Sequence, residues 1–315
     1  MEETRCNLIL TIGVTILCLS FAGQARAQDG TTAFSASVPL SLVRKPEAGE
    51  VAYFRISRED ITVNEVGEHT SRAFSTGRFK REVIHGNEAG SHMEQYSWKE
   101  YFYSRSEDTE TRIEPVEIAA IRGFSYDLDS RDRHSVPPIL IGGLAKTMET
   151  YSFFSVAWDV AAITEAVKDR PDYPVRSLRQ IGDHITGQEA YLPASFDFTP
   201  IVSDFSYVRQ PFTATFTGLS TVNETSTALI RFESGASPIA YRFYKDRAIV
   251  RLKGREWTSG VVHLNLSDNT ISRGELRNTT VISQQAMMPG KQLQYAMTVF
   301  QTIFLERITA QEYEE

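Results

Sequence analysis

The chain has 315 residues, of which 41% are hydrophobic and 23% charged, and its formal net charge is −7. It is long and apolar enough to bury a sizeable core, which excludes an intrinsically disordered chain. An acidic excess without evident patterning argues against nucleic acid and anionic membranes as partners.

The first element is an apolar run from Leu8 to Ala22. It is shorter than the ~20 residues of a membrane span and matches the h-region of a signal peptide. Ala25 and Ala27 follow it in the A-x-A pattern of a cleavage site. Residues 1–27 are therefore read as an export signal. An uncleaved anchor is the alternative, because Glu2 and Glu3 offset Arg5. Leu17 precedes Cys18 and Arg5 precedes Cys6, so neither cysteine follows the small residue that lipoprotein acylation needs. A mature chain starting at Gln28 has no cysteine, hence no disulfide, thiolate nucleophile or cysteine metal ligand. The expected destination is the periplasm or the exterior, most simply of a bacterial envelope. No later stretch is long and apolar enough to cross a membrane as a helix.

Beyond the leader the dominant period is two. Val51–Ser57, Trp98–Ser104 and Val116–Leu128 are rich in β-branched and aromatic residues and read as strands. A helix stands apart in the middle, at about 152–168, capped by Ser152 and ended before Arg170-Pro171. Its polar residues are sparse, so protein should cover most of its circumference. Asp169–Pro174 is the best internal boundary, dividing an N-terminal β-rich half, 28–170, from a C-terminal half, 171–315, unless the two form one continuous domain. The second half repeats the strand texture in Phe212–Thr217, Ala228–Glu233, Tyr241–Tyr244 and Ala248–Lys253, and a strand is expected over Leu293–Leu305. The fold class is mainly β: curved antiparallel sheets, half-barrel or barrel-like, around one buried central helix.

One hairpin is readable residue by residue. Val262, Leu264 and Leu266 share a face, Ser267–Thr270 turns the chain, and Ile271 starts the return. The apolar parity changes between Ile271 and Leu276, and Gly274 between them predicts a bulge. Residues 253–281, with a Gly-x-Val-x-Leu strand, a polar turn and an Ile-x-x-x-x-Leu return, resemble part of the periplasmic lipoprotein-sorting proteins; the rest of the chain is unmatched. The resemblance implies an open half-barrel, plugged by helices, whose concave apolar face holds acyl chains.

No phosphate loop, lipase elbow or His-Glu-x-x-His motif is present. His85, Glu88, His92 and Glu94 offer two imidazoles and two carboxylates to a cation, against the reading of a solvated hairpin turn. Asp127, Asp129 and Asp132 resemble the start of a calcium loop, but Arg131 and Asp132 replace a ligand and the turn glycine. No cofactor is expected. The favoured reading is an exported non-catalytic protein that binds an apolar or amphiphilic ligand such as a lipid, or a protein partner. Candidate cavity residues are Phe153, Phe154, Trp158 and Ile163 on the helix and Val262, Leu264 and Leu266 on the facing strand, with ordinary core as the competing reading. A secreted hydrolase using a carboxylate pair such as Asp127 and Asp129 is the alternative. An outer-membrane β-barrel comes after it, since many strands look short and the chain ends in Glu312-Tyr-Glu-Glu.

Overall fold

A computed structural model describes residues 39–86, 92–107, 113–129, 143–188, 194–245, 248–288 and 291–315. Residues 1–27 with Cys6 and Cys18, and Glu88 and Asp132 of the candidate cation sites, lie outside the described residues. Residues 39–315 make one compact unit.

In chain order the elements are β1 (Val51–Asn64), β2 (His69–Gly86), β3 (His92–Ser106), β4 (Val116–Glu117), β5 (Ser125–Asp129), α1 (Met148–Glu165), β6 (His184–Thr186) and β7 (Ala194–Phe198). There follow β8 (Val202–Tyr207), β9 (Phe212–Val222), β10 (Thr225–Lys245), β11 (Ala248–Asn265), β12 (Ile271–Met288), β13 (Lys291–Ile308) and α2 (Ala310–Glu314). Among the described residues, all thirteen strands belong to one antiparallel sheet that is not closed. Its path runs β4-β3-β2-β1-β13-β12-β11-β10-β8-β7, with β5 beside β3, β9 beside β10 and β6 beside β9.

The sheet curls around α1. Phe153 meets Trp98 and Tyr101 on β3, near one end of the path, with centroids 4.9 and 5.4 Å away. Trp158, five residues on, packs edge-on against Phe205 and Tyr207 on β8, near the other end. Midway, a Cβ on Gly274 of β12 would lie 2.7 Å from Ile163 Cγ2, so only glycine lets the helix come this close. One helix touching both ends and the middle of the path requires a concave sheet. The helix is buried on most sides, as its sparse polarity predicts.

Several local expectations are corrected. The helix starts at Met148, not at Ser152, because Thr147 and Thr150 form a reciprocal capping box. Val116–Leu128 is not one strand; a 3-10 turn at Ala119–Ile121 and Gly123 at φ 75° divide it into β4 and β5. The strands are longer than they look: 228–233 and 241–244 are both part of β10, which absorbs Gly235-Ala236 in a bulge between Ser234 and Ser237. In the hairpin, Ile271 does begin the return, but Gly274 pairs regularly with Val262. The register shift falls between Arg273 and Ile271, leaving Ser272 as the extra residue that reverses the parity.

Candidate functional site

Antiparallel register sorts the concave face into rows. Asp60, Gln301, Asn278 and Thr258 lie side by side on β1, β13, β12 and β11. The next row outward is Thr62, Val299, Thr280 and Glu256, and the one after it Asn64, Met297, Ile282 and Gly254. Polarity falls along this series. In the opposite direction, past Arg58, the rows become solid core: Phe54, Ile56, Leu276, Ile303 and Leu305 are all buried.

Helix α1 closes the core end and turns one face toward the polar rows. Tyr151, Ser152, Ser155, Trp158 and Asp159 recur at helical spacing and, with the strand rows, line a cavity of about 250 Å³. Its floor is a charged cluster. Arg58 donates from Nε and Nη2 to both oxygens of Asp60, at 2.7 and 2.8 Å, and from Nη1 to Asp159 Oδ2 at 2.9 Å. Asn278 Nδ2 donates to Asp159 Oδ1 at 3.3 Å and to Gln301 Oε1 at 3.2 Å. Asn278 Oδ1 is buried without a protein partner, which leaves an acceptor on the cavity floor.

Two carboxylates thus compete for one guanidinium. Asp60 takes the bidentate contact; Asp159 keeps a single bond and is the more deeply buried. Burial pushes the Asp159 carboxyl up to about 7, against the attraction of Arg58 and with help from the Asp60 and Glu256 charges. Burial would lower the Arg58 pKa, but Asp60 and Asp159 outweigh it and raise it instead. Near neutral pH the floor therefore holds an Arg58–Asp60 ion pair beside an Asp159 that is partly protonated.

Across the cavity, Glu256 accepts from Tyr207 Oη at 2.7 Å and from Thr280 Oγ1 at 3.1 Å. Arg209, only 3% exposed, lies over the rings of Trp158, Tyr207 and Phe212 at 6.0, 5.8 and 5.6 Å. On the β10, β12 and β13 side the outer wall is apolar, with Ile239, Tyr241, Ile282, Met297 and Val299, the last four continuing into a second buried cluster with Val250, Leu252 and Ala286; on the β1 and β2 side Thr62 and Ser71 line it.

Of the candidate cavity residues, Trp158 lines this cavity. Phe153, Phe154, Ile163, Val262 and Leu264 are buried in the main core, and Leu266 packs against it. Around the proposed cation ligands, His85 is exposed on β2 and His92 Nε2 is 3.5 Å from Glu94 Oε1. Glu94 is buried, bonded by Arg44 Nη1 at 2.5 Å and Tyr96 Oη at 2.9 Å, with Arg81 Nε at 3.7 Å. Burial alone would raise its pKa; Arg81, His92 and Arg44 instead hold the carboxyl well below the usual carboxylate range. Guanidinium groups of Arg44 and Arg81 flank Glu94, and no group of three or more His, Cys, Asp or Glu gathers for a metal among the described residues. Asp127 accepts from Gln95 Nε2 at 3.2 Å on β5, and neither it nor Asp129 lines the cavity.

The cluster of Arg58, Asp60, Asp159, Asn278 and Glu256 was not among the sequence candidates. Two signals could have found it. Asp159 is the single charge between Thr150 and Thr164 of a helix that is otherwise apolar or neutral. On β12 the buried parity that starts with Leu276 continues through Asn278 and Thr280, polar residues where core ones are expected.

No family model and no curated protein matches the sequence. Among solved structures, a mutant of the Rh. blastica porin aligns at 10% identity over 82% of this chain and 100% of its own, with a TM-score of 0.20. A Bacteroides fragilis protein with a YmcC-like fold aligns at 10% identity over 83% and 97%, TM-score 0.17, and Pseudomonas aeruginosa OccK7 at 9% over 82% and 98%, TM-score 0.20. At such TM-scores these likenesses carry no argument, and the fold rests on the chain's own strand pairing.

Proposed function

We propose that this chain is an exported, non-catalytic envelope protein that holds an amphiphile in the cavity beneath α1. The observation that carries the reading is the graded wall: a charged floor at Arg58, Asp60, Asp159 and Asn278 gives way, row by row, to Ile282, Met297 and Val299. A polar head would meet the floor, with Asn278 Oδ1 free to accept from a hydroxyl or amine. An apolar tail would lie along the outer wall toward Val250 and Leu252. The volume, about 250 Å³, lies just under the ~300–1,000 Å³ usual for ligand pockets, which suits one short-chain amphiphile. Export rests on the leader with its A-x-A site. The half-barrel implied by the lipoprotein-sorting resemblance has the same logic, an acyl chain held on a concave face. Outward-facing Arg231, Glu233, Arg251, Lys253 and Arg255 are exposed and would sit in hydrocarbon in a membrane-spanning barrel, which favours a binding protein over an outer-membrane one.

The test is uptake of a fluorescent single-chain amphiphile by wild type and by Val299→Trp, which fills the outer wall. Saturable uptake that V299W abolishes supports the reading; the same weak uptake by both proteins rejects it.

A second reading, hydrolysis, draws on one observation: Asp159, with its carboxyl near 7, shares the cavity with Asp60 and Glu256. A carboxyl poised near neutral pH is suited to general acid work on an ester or glycosidic bond. Turnover of model esters or glycosides that is lost in Asp159→Asn would establish it, and no turnover by wild type would dismiss it.

A further inference from the structure

The convex face of β11, β12 and β13, behind the outer cavity wall, reverses the sign of the chain. Alternation along β11 points Arg251, Lys253 and Arg255 outward; all three are exposed, and none has an ion-pair partner among the described residues. Trp257 continues the same file at 42% exposure. It lies in register with Thr279 on β12 and, through it, with Phe300 on β13, which is 46% exposed. Val281, beside them on β12, is 44% exposed.

Acidic residues are sparse on the neighbouring strands. β12 has none over 279–287 and β13 none over 292–300, while Glu256 on β11 is bonded to Tyr207 on the cavity side. Of the outward acids around it, Asp204 pairs with Arg242 at 2.7 Å and Glu59 with Arg72, while Glu233 on β10, opposite Ser259, stands exposed beyond Trp257 at its edge. At the opposite end of the same strands the pattern changes to balanced pairs, Arg277 with Glu275 and Arg55 with Glu306. The chain total of −7 thus hides a local face of unpaired cations beside exposed aromatics.

We propose that this face docks the protein on a lipid surface bearing anionic headgroups. Three unpaired cations fit phosphate-bearing headgroups, and tryptophan and phenylalanine beside them are side chains that settle at the headgroup–acyl boundary. An apolar patch rimmed by charges of one sign marks an interaction surface, and a lipid surface accepts it without shape complementarity. Binding is peripheral, since the flanking charges keep the sheet out of the hydrocarbon. The inference goes beyond the cavity reading and does not depend on it.

The experiment uses the full-length chain with vesicles of phosphatidylcholine alone or mixed equally with phosphatidylglycerol, their acyl chains brominated. Trp98 is 1% exposed and Trp158 packs in the interior, so quenching at the surface reports Trp257, and the leader contains no tryptophan. Quenching should occur on the mixed vesicles, weaken with salt, and vanish in Trp257→Phe. R251Q/K253Q/R255Q should raise the lipid concentration for half-binding roughly a hundredfold, about fivefold for each cation. Should that variant misfold, the salt dependence of the wild type decides instead. Equal quenching on neutral vesicles, no quenching on either, or salt-independent binding would overturn the proposal, the last two pointing to a protein partner for the patch.

Discussion

Asp159 on the central helix and Arg58 on the first strand, 101 residues apart in sequence, meet at 2.9 Å inside the sheet. Both are buried, and each is also bonded to a second polar group: Arg58 to Asp60, Asp159 to Asn278. The pair fixes where α1 sits along the concave face and supplies the cavity floor.

The raised Asp159 carboxyl makes stability depend on pH. Between its ordinary value of 3.8 and about 7 the folded chain binds more protons than the unfolded one. Stability from this group is full below about pH 4 and is lost as pH rises through 7. Asp159→Asn removes that dependence while keeping a donor and acceptor. Thermal melts from pH 5 to 8.5 should show a smaller fall in Tm for the variant than for wild type. A parallel fall in both would assign the slope to other groups.

Arg58 is the costlier residue to remove. Arg58→Met leaves the buried Asp159 and the half-buried Asp60 without their cation, a loss of about 3–5 kcal/mol in comparable buried pairs. Urea titration measures it. In R58M/D159N the buried carboxyl that has lost its partner is gone, so the double variant should be more stable than the sum of the single losses. Strict additivity would mean that the two side chains are not coupled.

Gly274 tests the approach of α1 to the sheet. An alanine Cβ there, 2.7 Å from Ile163 Cγ2, forces helix or strand to shift. Gly274→Ala should cost about 1–3 kcal/mol by overpacking. Removing the opposing group in G274A/I163A should recover part of that loss relative to the sum of the singles. Full stability of G274A alone would mean the helix is free to move.

Much of the fold was legible because alternation survives in each strand taken singly. The hairpin faces, the terminal strand that became β13 and the covered central helix all follow from local patterning. Strand lengths did not, because Gly235-Ala236 in β10 and Gly254 in β11 look like breaks. The sheet accommodates the first as a bulge and the second as a close crossing of β12. The candidate site was less legible. Hydrophobicity singled out Phe153, Phe154 and Ile163, and the structure buries them in the main core. Arg58, Asp60, Asp159, Glu256, Asn278 and Gln301 are scattered over five elements, and only strand register brings Asp60, Gln301 and Asn278 into one row. Net charge, an average over the whole chain, carries no information on the local file of exposed cations along β11.

The central claim, that the cavity carries an amphiphile, is tested most directly by native mass spectrometry of the protein recovered from the exported fraction of its own host. The account predicts a chain beginning at Gln28 with one small amphiphile bound, released on collisional activation and missing from V299W. A bare polypeptide mass for the wild type, or an adduct equally retained by V299W, would contradict it.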